Sequence, residues 1–322
     1  IYDRLGGELY REFATSPLPG FVALDSIAQQ YARGFSGESL WLDWLAALVL
    51  HEDAQAAPEF QLNIEGLETA AFMPIDVLPG ELTADVRQYA ADYYELPPQT
   101  VTVQFAGEDT VPILAGQEIT DETFWYAQRA NHSNPRLTRT IDLREAQTAT
   151  LNYDVYADIE QGFDFAYVSV SADGGTTWDP LAAPTMQGLD VADDPSESAL
   201  TPRFYTGRTQ EWRHEMIDLT PYAGQEILLR FEMVTDPILT YSGLAVDNVA
   251  IPEIGFIDDD SGEGWTAEGF TLAPAALPQP WHLRLLTFPS AGPVVNDIAL
   301  SSDGTADFTI FYEAGQQRPV LI

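Results

Sequence analysis

The chain has 322 residues with 50 acidic against 14 basic side chains, a net charge of −36, and every basic side chain is Arg. This charge excludes nucleic acid as a partner and disfavours anionic membrane surfaces, because both would be repelled. The absence of cysteine excludes disulfides and thiolate metal sites. Three explanations of the acidity stay open: a well-solvated surface, divalent-cation binding, and adaptation to salt.

The first fifty residues have the spacing of amphipathic helices. Apolar side chains recur every three or four positions, and breaks at 16–20 and 34–37 divide the segment into three predicted helices. The longest apolar run, 45–50, is far shorter than the ~20 residues of a membrane-spanning helix, so no membrane insertion is expected. The chain begins at Ile1 without a visible signal peptide, and we expect it to be a piece of a longer precursor.

Strand patterns follow a proline-punctuated stretch. Val101, Val103 and Phe105 alternate with polar residues, which predicts the first strand of a β-sandwich. Residues 183–202 form a long polar insertion within it, a length that is typical of binding surfaces, mobile excursions or structural decoration. A second β pattern begins after 252, and the run that ends at Ile322 predicts that the chain continues.

The stretch from 151 to 178 predicts two strands and a hairpin. Leu151, Tyr153, Val155 and Ala157 alternate with polar residues, and a second alternating run follows at 165–170. The sequence Asp-Gly-Gly at 173–175 tolerates positive φ and predicts a tight turn. The predicted organisation is therefore a helical segment, a connecting region, a sandwich and a C-terminal β module, at 1–57, 58–98, 99–252 and 253–322.

Five motifs, at 124–126 (FWY), 137–143 (LTRTIDL), 156–178 (YADIEQGFDFAYVSVSADGGTTW), 217–231 (IDLTPYAGQEILLRF) and 243–251 (GLAVDNVAI), resemble one known module. This module is the β-sandwich that follows the catalytic domain in the immune inhibitor A family of secreted zinc metallopeptidases. The resemblance implies a mainly β protein: a jelly-roll β-sandwich of the galactose-binding-like or MAM-like kind, preceded by a small α-helical segment and followed by a second small β module. It also implies an accessory role and an extracellular or cell-surface location.

The segment at 20–52 resembles the helical subdomain that ends a gluzincin-type catalytic domain. By this resemblance, 1–57 is a remnant of a metallopeptidase-like catalytic domain, and the chain's own upstream peptidase domain is an expected partner. The parent protein would be a zinc metallopeptidase.

The chain itself lacks the zinc motif H-E-x-x-H, in which two histidines bind the metal and a glutamate activates water. His51 and Glu52 begin the pattern, but Asp53, Ala54 and Gln55 follow. The four histidines are dispersed, at 51, 132, 214 and 282. We therefore expect no zinc and no catalytic residue in this chain.

Calcium is the expected cofactor, because this ion takes oxygen ligands from carboxylates and carbonyls. Glu160 and Asp164 flank Gly162 at a predicted turn, and by the family resemblance Asp236 and Asp247 complete the set. The alternative is that Glu160 or Asp247 forms an ion pair with an arginine of a neighbouring strand.

A dense acidic loop at 258–263 offers Asp258 and Asp260 as further calcium ligands. Its spacing is not that of an EF-hand, because position twelve from Asp258 is Gly269 rather than a ligating Glu. A solvated turn is the alternative.

Tryptophans in the β segments could stack on sugar rings, although core packing is the more common role of Trp in such sheets. The candidates are Trp125, Trp178, Trp212, Trp265 and Trp281. The predicted function is thus a non-catalytic, calcium-stabilised accessory portion that binds or stabilises. Two alternatives are an extracellular structural protein of a layer or fibre, and a carbohydrate-binding module. The expected partners beyond the peptidase domain are extracellular protein or glycan.

Overall fold

The computed structural model describes residues 1–62, 64–117, 123–188, 202–258 and 261–322. In this part of the chain, three helices come first: α1 Tyr2–Thr15, α2 Gly20–Gln30 and α3 Gly37–Leu50. The strands are β1 Met73–Pro74, β2 Tyr94–Glu95, β3 Val101–Ala106, β4 Thr110–Pro112, β5 Thr123–Tyr126, β6 Arg136–Asp142, β7 Thr150–Asp158, β8 Phe165–Ser171, β9 Asp179–Pro180, β10 Arg208–Asp218, β11 Glu226–Val234, β12 Gly243–Ile251, β13 Phe256–Ile257, β14 Trp265–Glu268, β15 Thr271–Pro274, β16 Ala276–Pro278, β17 Leu283–Thr287, β18 Val294–Ile298, β19 Thr305–Ile310 and β20 Val320–Leu321. Short 3-10 turns lie at Pro58–Phe60, Thr220–Tyr222 and Pro252–Ile254.

The chain forms two compact units, and one is inserted into the other. The split unit consists of Ile1–Asp109 and Pro280–Ile322, and the inserted unit is Thr110–Gln279. Strand pairing produces this division, because β3 pairs along its whole length with β19, and β2 pairs with β20. The two ends of the inserted unit run side by side, since β4 pairs antiparallel with β16.

These boundaries differ from the predicted ones at both ends of the sandwich. The alternation at 101–106 is a strand, but it pairs with β19 in the split unit rather than opening the sandwich. Residues 265–274, assigned from sequence to a separate C-terminal module, add β14 and β15 to the sheets of the sandwich. Local alternation predicts that a segment is a strand, but it does not predict which distant strand will pair with it.

The three predicted helices are confirmed, and their apolar faces form one small core. Leu5 and Leu9 of α1 pack with Leu24 and Ile27 of α2 and with Leu40 of α3. A capping box begins α3, in which the Ser36 hydroxyl accepts from the Ser39 backbone N–H and the Ser39 hydroxyl accepts from that of Ser36. An apolar cavity of about 450 Å³ lies among the helices, with Trp41 and Trp44 in its lining.

The β part of the split unit joins the two ends of its sequence. One sheet has the order β1-β2-β20-β17-β18, and β19 and β3 form a two-stranded ladder. Leu96, Val101, Leu283, Leu285 and Ile310 share one core cluster, in which residues before and after the insertion are in contact.

The inserted unit is the expected β-sandwich. One sheet has the order β10-β7-β12-β5-β15, with β13 added on β12, and the other has the order β14-β6-β11-β8-β9. The chain passes from one sheet to the other between most consecutive strands, which is typical of a jelly roll. Side chains from both sheets, including Leu137, Tyr153, Val168 and Phe231, form the main core. Each fully buried apolar side chain of this size contributes about 1.5–3 kcal/mol to folding.

The predicted alternation of the two central strands is confirmed for the core face. Leu151, Tyr153, Val155 and Ala157 of β7 are buried in the main core, as are Ala166, Val168 and Val170 of β8. The opposite face of β7 is not uniformly polar, because Tyr156 is completely buried in a second cluster. A second layer of side chains from β5 and β15 covers this end of the strand.

The predicted hairpin is present between β8 and β9, with the Asp-Gly-Gly segment in a loop over 172–178 rather than in a tight turn, and side-chain hydrogen bonds stabilise this loop. Asp173 accepts from the backbone N–H groups of Thr176 and Thr177 at 3.0 and 2.9 Å, and from the hydroxyls of Thr177 and Ser171. The N–H and hydroxyl of Thr177, followed by the Ser171 hydroxyl, lower the pKa of Asp173 to about 2. The turn is therefore stabilised by side chains of its own sequence, and Trp178 follows directly after it.

Candidate functional site

Three of the predicted calcium ligands lie together at the end of β7, in what we call the acidic turn (Glu160, Asp164 and Asp236). Asp164 is 2% exposed and accepts two backbone N–H groups, from Glu160 at 3.3 Å and from Asp236 at 3.0 Å. Gly162, with φ of 77°, bends the chain sharply between Glu160 and Asp164. Its backbone N–H donates to the Thr206 hydroxyl at 2.8 Å. The carboxylate of Asp164 thus ties the β7–β8 connection to the segment after β11.

The acidic turn concentrates negative charge. Burial, then the carboxylates of Asp236 and Asp164, raise the pKa of Glu160. Like charges destabilise the ionised form of a carboxyl, and a nearby cation would reverse that effect. The arrangement can therefore attract a cation, although among the described residues no group of three or more His, Asp or Glu side chains has the geometry of a metal site.

The fourth predicted ligand, Asp247, does not join the acidic turn. It lies on β12 opposite Asp154 of β7, four residue pairs from Asp158 at the strand's end, a separation of about 13 Å at about 3.3 Å per residue. Its neighbours form a separate polar group: Asp154 binds His214 Nδ1 at 2.8 Å and accepts from the Asn248 amide at 2.8 Å. The strand register separates Asp247 from the turn, and the sequence alone does not give that register.

Asp258 has a different environment from the one expected of an acidic loop. Its two carboxylate oxygens accept the indole N–H groups of Trp125 at 2.9 Å and Trp265 at 3.1 Å. The carboxylate therefore joins two tryptophans of facing sheets. Asp259 and Asp260 lie outside the described residues.

The tryptophans proposed for sugar stacking pack mostly against other aromatic rings. The ring partners are Trp265 for Trp125, Phe124 for Trp212 and Phe105 for Trp281, with centroid distances of 6.0, 5.6 and 5.8 Å. Trp178 instead lies against the guanidinium of Arg230, whose central carbon is 3.6 Å from the ring centroid. It is also partly exposed on the surface of the sandwich.

Two buried carboxylates were not singled out as structural anchors by sequence reasoning. Asp158 is 1% exposed and accepts from Arg208 Nε at 2.7 Å and from the Ser242 N–H at 3.1 Å. Burial alone would raise its pKa, but the hydrogen bonds from Arg208 and Ser242 outweigh burial, and the pKa lies below its ordinary value. Asp158 follows a run of alternating residues on β7, so its pattern is that of a solvated strand end.

Glu215, the second of these, faces the sandwich core from β10 and is 1% exposed. Thr185 donates its hydroxyl hydrogen bond to Oε1, and the paired hydroxyls of Tyr153 and Tyr205, 2.6 Å apart, lie beside it. Burial, and then Tyr153 and Glu215, raise the pKa of Tyr205 well above its usual range. Within the described part of the chain, Glu215 Oε2 is buried without a hydrogen-bond partner.

His51, the one histidine that begins a zinc-binding pattern, serves the helical core. Its two ring nitrogens lie 3.2 Å from the backbone carbonyl oxygens of Ala47 and Leu67. Both ring nitrogens thus face backbone acceptors within the split unit.

No helix in the described ranges has the length and apolar character needed to cross a membrane.

The inserted unit thus defines a jelly-roll β-sandwich module with an acidic turn at one end. The chain belongs to the family described as immune inhibitor A-like, MAM domain, whose family model matches residues 98–275, more than half of the chain. The predicted family membership is confirmed.

Two curated relatives are named as proteases. The chain is 29% identical over 154 residues to pre-pro-metalloprotease PrtV of Vibrio cholerae serotype O1 (strain ATCC 39315 / El Tor Inaba N16961), an alignment that covers 47% of this chain and 16% of PrtV. It is 25% identical over 125 residues to bacillopeptidase F of Bacillus subtilis (strain 168), which covers 38% of this chain and 7% of that protein. The chain therefore matches only a small part of each relative.

Proposed function

We propose that this chain is the non-catalytic accessory portion of a secreted, metallopeptidase-like protein, in which it binds or stabilises. The observation that carries the proposal is the family match, because it covers the sandwich and not a peptidase domain. The relatives support it in the same way: both are named as proteases, and the similarity spans only 16% or less of either one. The expected partner is a peptidase domain of the same polypeptide.

The chemistry of the chain supports a role without catalysis. A zinc peptidase requires metal ligands with an open coordination position and a general base. His51 is followed by no second histidine at the required spacing, and both of its ring nitrogens face backbone carbonyl oxygens. A side chain held in this way stabilises the end of α3 and is not presented to a metal.

Zinc retention tests this part of the proposal. The purified chain is dialysed against zinc, then against metal-free buffer, and its zinc content is measured by mass spectrometry beside a His51→Ala variant. We expect neither protein to retain zinc above a protein-free blank. Stoichiometric zinc in the unmodified chain that is lost in His51→Ala would contradict the proposal.

We further propose that calcium stabilises the inserted unit at the acidic turn. The support is the like-charge repulsion there: Glu160 has a raised pKa because of burial and because Asp236 and Asp164 lie near. Each oxygen of Asp164 accepts one backbone N–H, and a carboxylate oxygen has a second lone pair for a hard cation. Asp247 is not part of this proposed site, because its register places it elsewhere on the sheet.

Thermal melting in calcium and in excess chelator tests the proposal. An ion present at 100 times its dissociation constant stabilises the folded form by about 2.7 kcal/mol, so the melting temperature should rise with calcium. Asp236→Asn should reduce that rise, whereas the matched variant Asp247→Asn should keep it. If calcium leaves the melting temperature of the unmodified chain unchanged, the acidic turn is not a calcium site.

A further inference from the structure

One sheet of the inserted unit turns polar side chains away from the core, and we call this surface the outer face (Thr138, Tyr167, Arg230 and Thr266, with Trp178 beside them). Ser169 lies in the same row but is only 7% exposed. The register aligns these residues across four strands, because Arg230 of β11 lies opposite Thr138 of β6 and Ser169 of β8. Thr266 of β14 continues the same row, opposite Thr138. Their neighbours in sequence, including Leu137, Val168, Leu229 and Phe231, point into the core.

Among the described residues, Arg230 is one of the arginines that form no ion pair, although the chain is rich in acidic side chains. Seven arginines form ion pairs within the described residues: Arg4, Arg136, Arg144, Arg208, Arg213, Arg284 and Arg318. Arg230 forms none there. Its one hydrogen bond runs from Nε to the Thr138 hydroxyl at 3.0 Å, so the two terminal amino groups of its guanidinium have no acceptor in the described part of the protein.

The surroundings of Arg230 hold its guanidinium in place and keep it partly desolvated. The Trp178 ring lies against it at 3.6 Å, and Trp178 directly follows the hydrogen-bonded turn around Asp173. Burial, and then the neighbouring charge of Arg136, lower the pKa of Arg230, whereas Glu232 and Glu268 act in the opposite direction. Arg136 is itself paired with Glu232 at 3.2 Å, whereas Arg230 forms no ion pair among the described residues.

We propose that the outer face binds an acidic saccharide and that Arg230 donates hydrogen bonds to its carboxylate. A planar guanidinium with two free amino groups matches a carboxylate with two parallel hydrogen bonds. The hydroxyls of Thr138, Tyr167 and Thr266 both donate and accept, as sugar hydroxyls require. Sugar is favoured over a peptide carboxylate because the backbone groups of β6, β11 and β8 are paired in the ladder, so the face offers a peptide main chain no partners.

This inference extends the binding role but does not depend on it, since a sandwich can bind sugar whatever its attached domain does. The net charge of −36 opposes an anionic ligand at long range. That repulsion is screened beyond about 8 Å at physiological salt, whereas the contact with a partly desolvated Arg is screened much less. Binding should therefore be measured at physiological ionic strength.

Titration calorimetry of the full chain tests the inference with four probes: trigalacturonate, sialyllactose, the neutral sugar galactotriose, and acetyl-trialanine as a peptide carboxylate. We expect saturable binding of at least one acidic sugar. Galactotriose and acetyl-trialanine should bind about tenfold or more weakly, because a charge-assisted pair of hydrogen bonds has about that effect on affinity.

Variants assign the binding to Arg230. Arg230→Gln should lower the affinity for the acidic sugar about 10- to 100-fold. Arg230→Lys should keep only part of the affinity, because an ammonium group cannot donate the two parallel hydrogen bonds of a guanidinium. Arg213→Gln is the matched control on the other sheet and should bind like the unmodified chain. Thermal melting identifies any variant that fails to fold. If Arg230→Gln does not fold, the affinity of Arg230→Lys is compared with that of the unmodified chain instead. The proposal would be overturned if neither acidic sugar binds, or if acetyl-trialanine binds with the same affinity as the acidic sugar. It would also be overturned if a folded Arg230→Gln variant binds the acidic sugar with unchanged affinity.

Discussion

Glu215 is the side chain whose replacement should reveal most about the energetics of the sandwich. It is a carboxylate buried to 1% exposure in the core, and one of its oxygens has no partner among the described residues. We predict that Glu215→Gln stabilises the inserted unit. The amide keeps an oxygen that can accept from Thr185 and removes the charge that the core solvates poorly.

The magnitude follows from the two costs that are exchanged. A buried ion that is imperfectly paired costs several kcal/mol, and an unpaired neutral polar group costs about 1–3 kcal/mol. The exchange should therefore gain about 1–3 kcal/mol. Glu215→Ala should instead lose about 2–4 kcal/mol, because it leaves a cavity and removes the acceptor of the Thr185 hydroxyl.

Differential scanning calorimetry of the full chain measures both variants. For a unit of this size, 110–279, 1 kcal/mol shifts the melting temperature by about 2–4 °C, so Glu215→Gln should raise the transition of the inserted unit by about 2–12 °C. Thr185→Val, which removes the hydroxyl donor from the opposite side, is the control and should lower it. If Glu215→Gln lowers the transition as much as Glu215→Ala does, the charge is compensated in the native protein and the reasoning fails.

Two further predictions concern the insertion and the hairpin turn. Replacing 110–279 by a short Gly-Ser linker should leave the split unit folded, because β3 still pairs with β19; circular dichroism showing loss of the helical signal would contradict this. Asp173 has its pKa lowered to about 2 by hydrogen bonds from Thr177 and Ser171, so its stabilisation is present above the unfolded value of 3.8 and is lost as the pH falls toward 2. Asp173→Asn should flatten the dependence of unfolding free energy on pH in that window, and an unchanged slope would show that the turn does not depend on this carboxylate.

The sequence predicted the local features of the fold because their causes are local. The alternation at 151–157 follows from one buried face, and the Asp-Gly-Gly turn follows from backbone preferences and from the hydrogen bonds of Asp173 itself. The three helices follow from the same kind of pattern. Each of these elements requires only residues that are close together in the chain.

The features of the structure that differ from the sequence-based expectations depend on pairing between distant parts of the chain. The strand at 101–106 has the expected alternation, but its partner strand lies at 305–310, and this pairing decides the unit to which it belongs. Asp247 is separated from the acidic turn by the register between β12 and β7. Asp258 resembles a solvated acid in sequence, yet two tryptophans from different strands converge on it. No local sequence pattern predicts these contacts between distant residues.

Casein hydrolysis tests most directly the proposal that this chain is a non-catalytic accessory portion of a metallopeptidase-like protein. The purified 322-residue chain is incubated with casein in the presence of zinc, with and without a chelator, beside a protein-free blank. We predict no hydrolysis above the blank under either condition, because the chain lacks a second zinc-binding histidine after His51. Zinc-dependent hydrolysis that the chelator abolishes would contradict the claim.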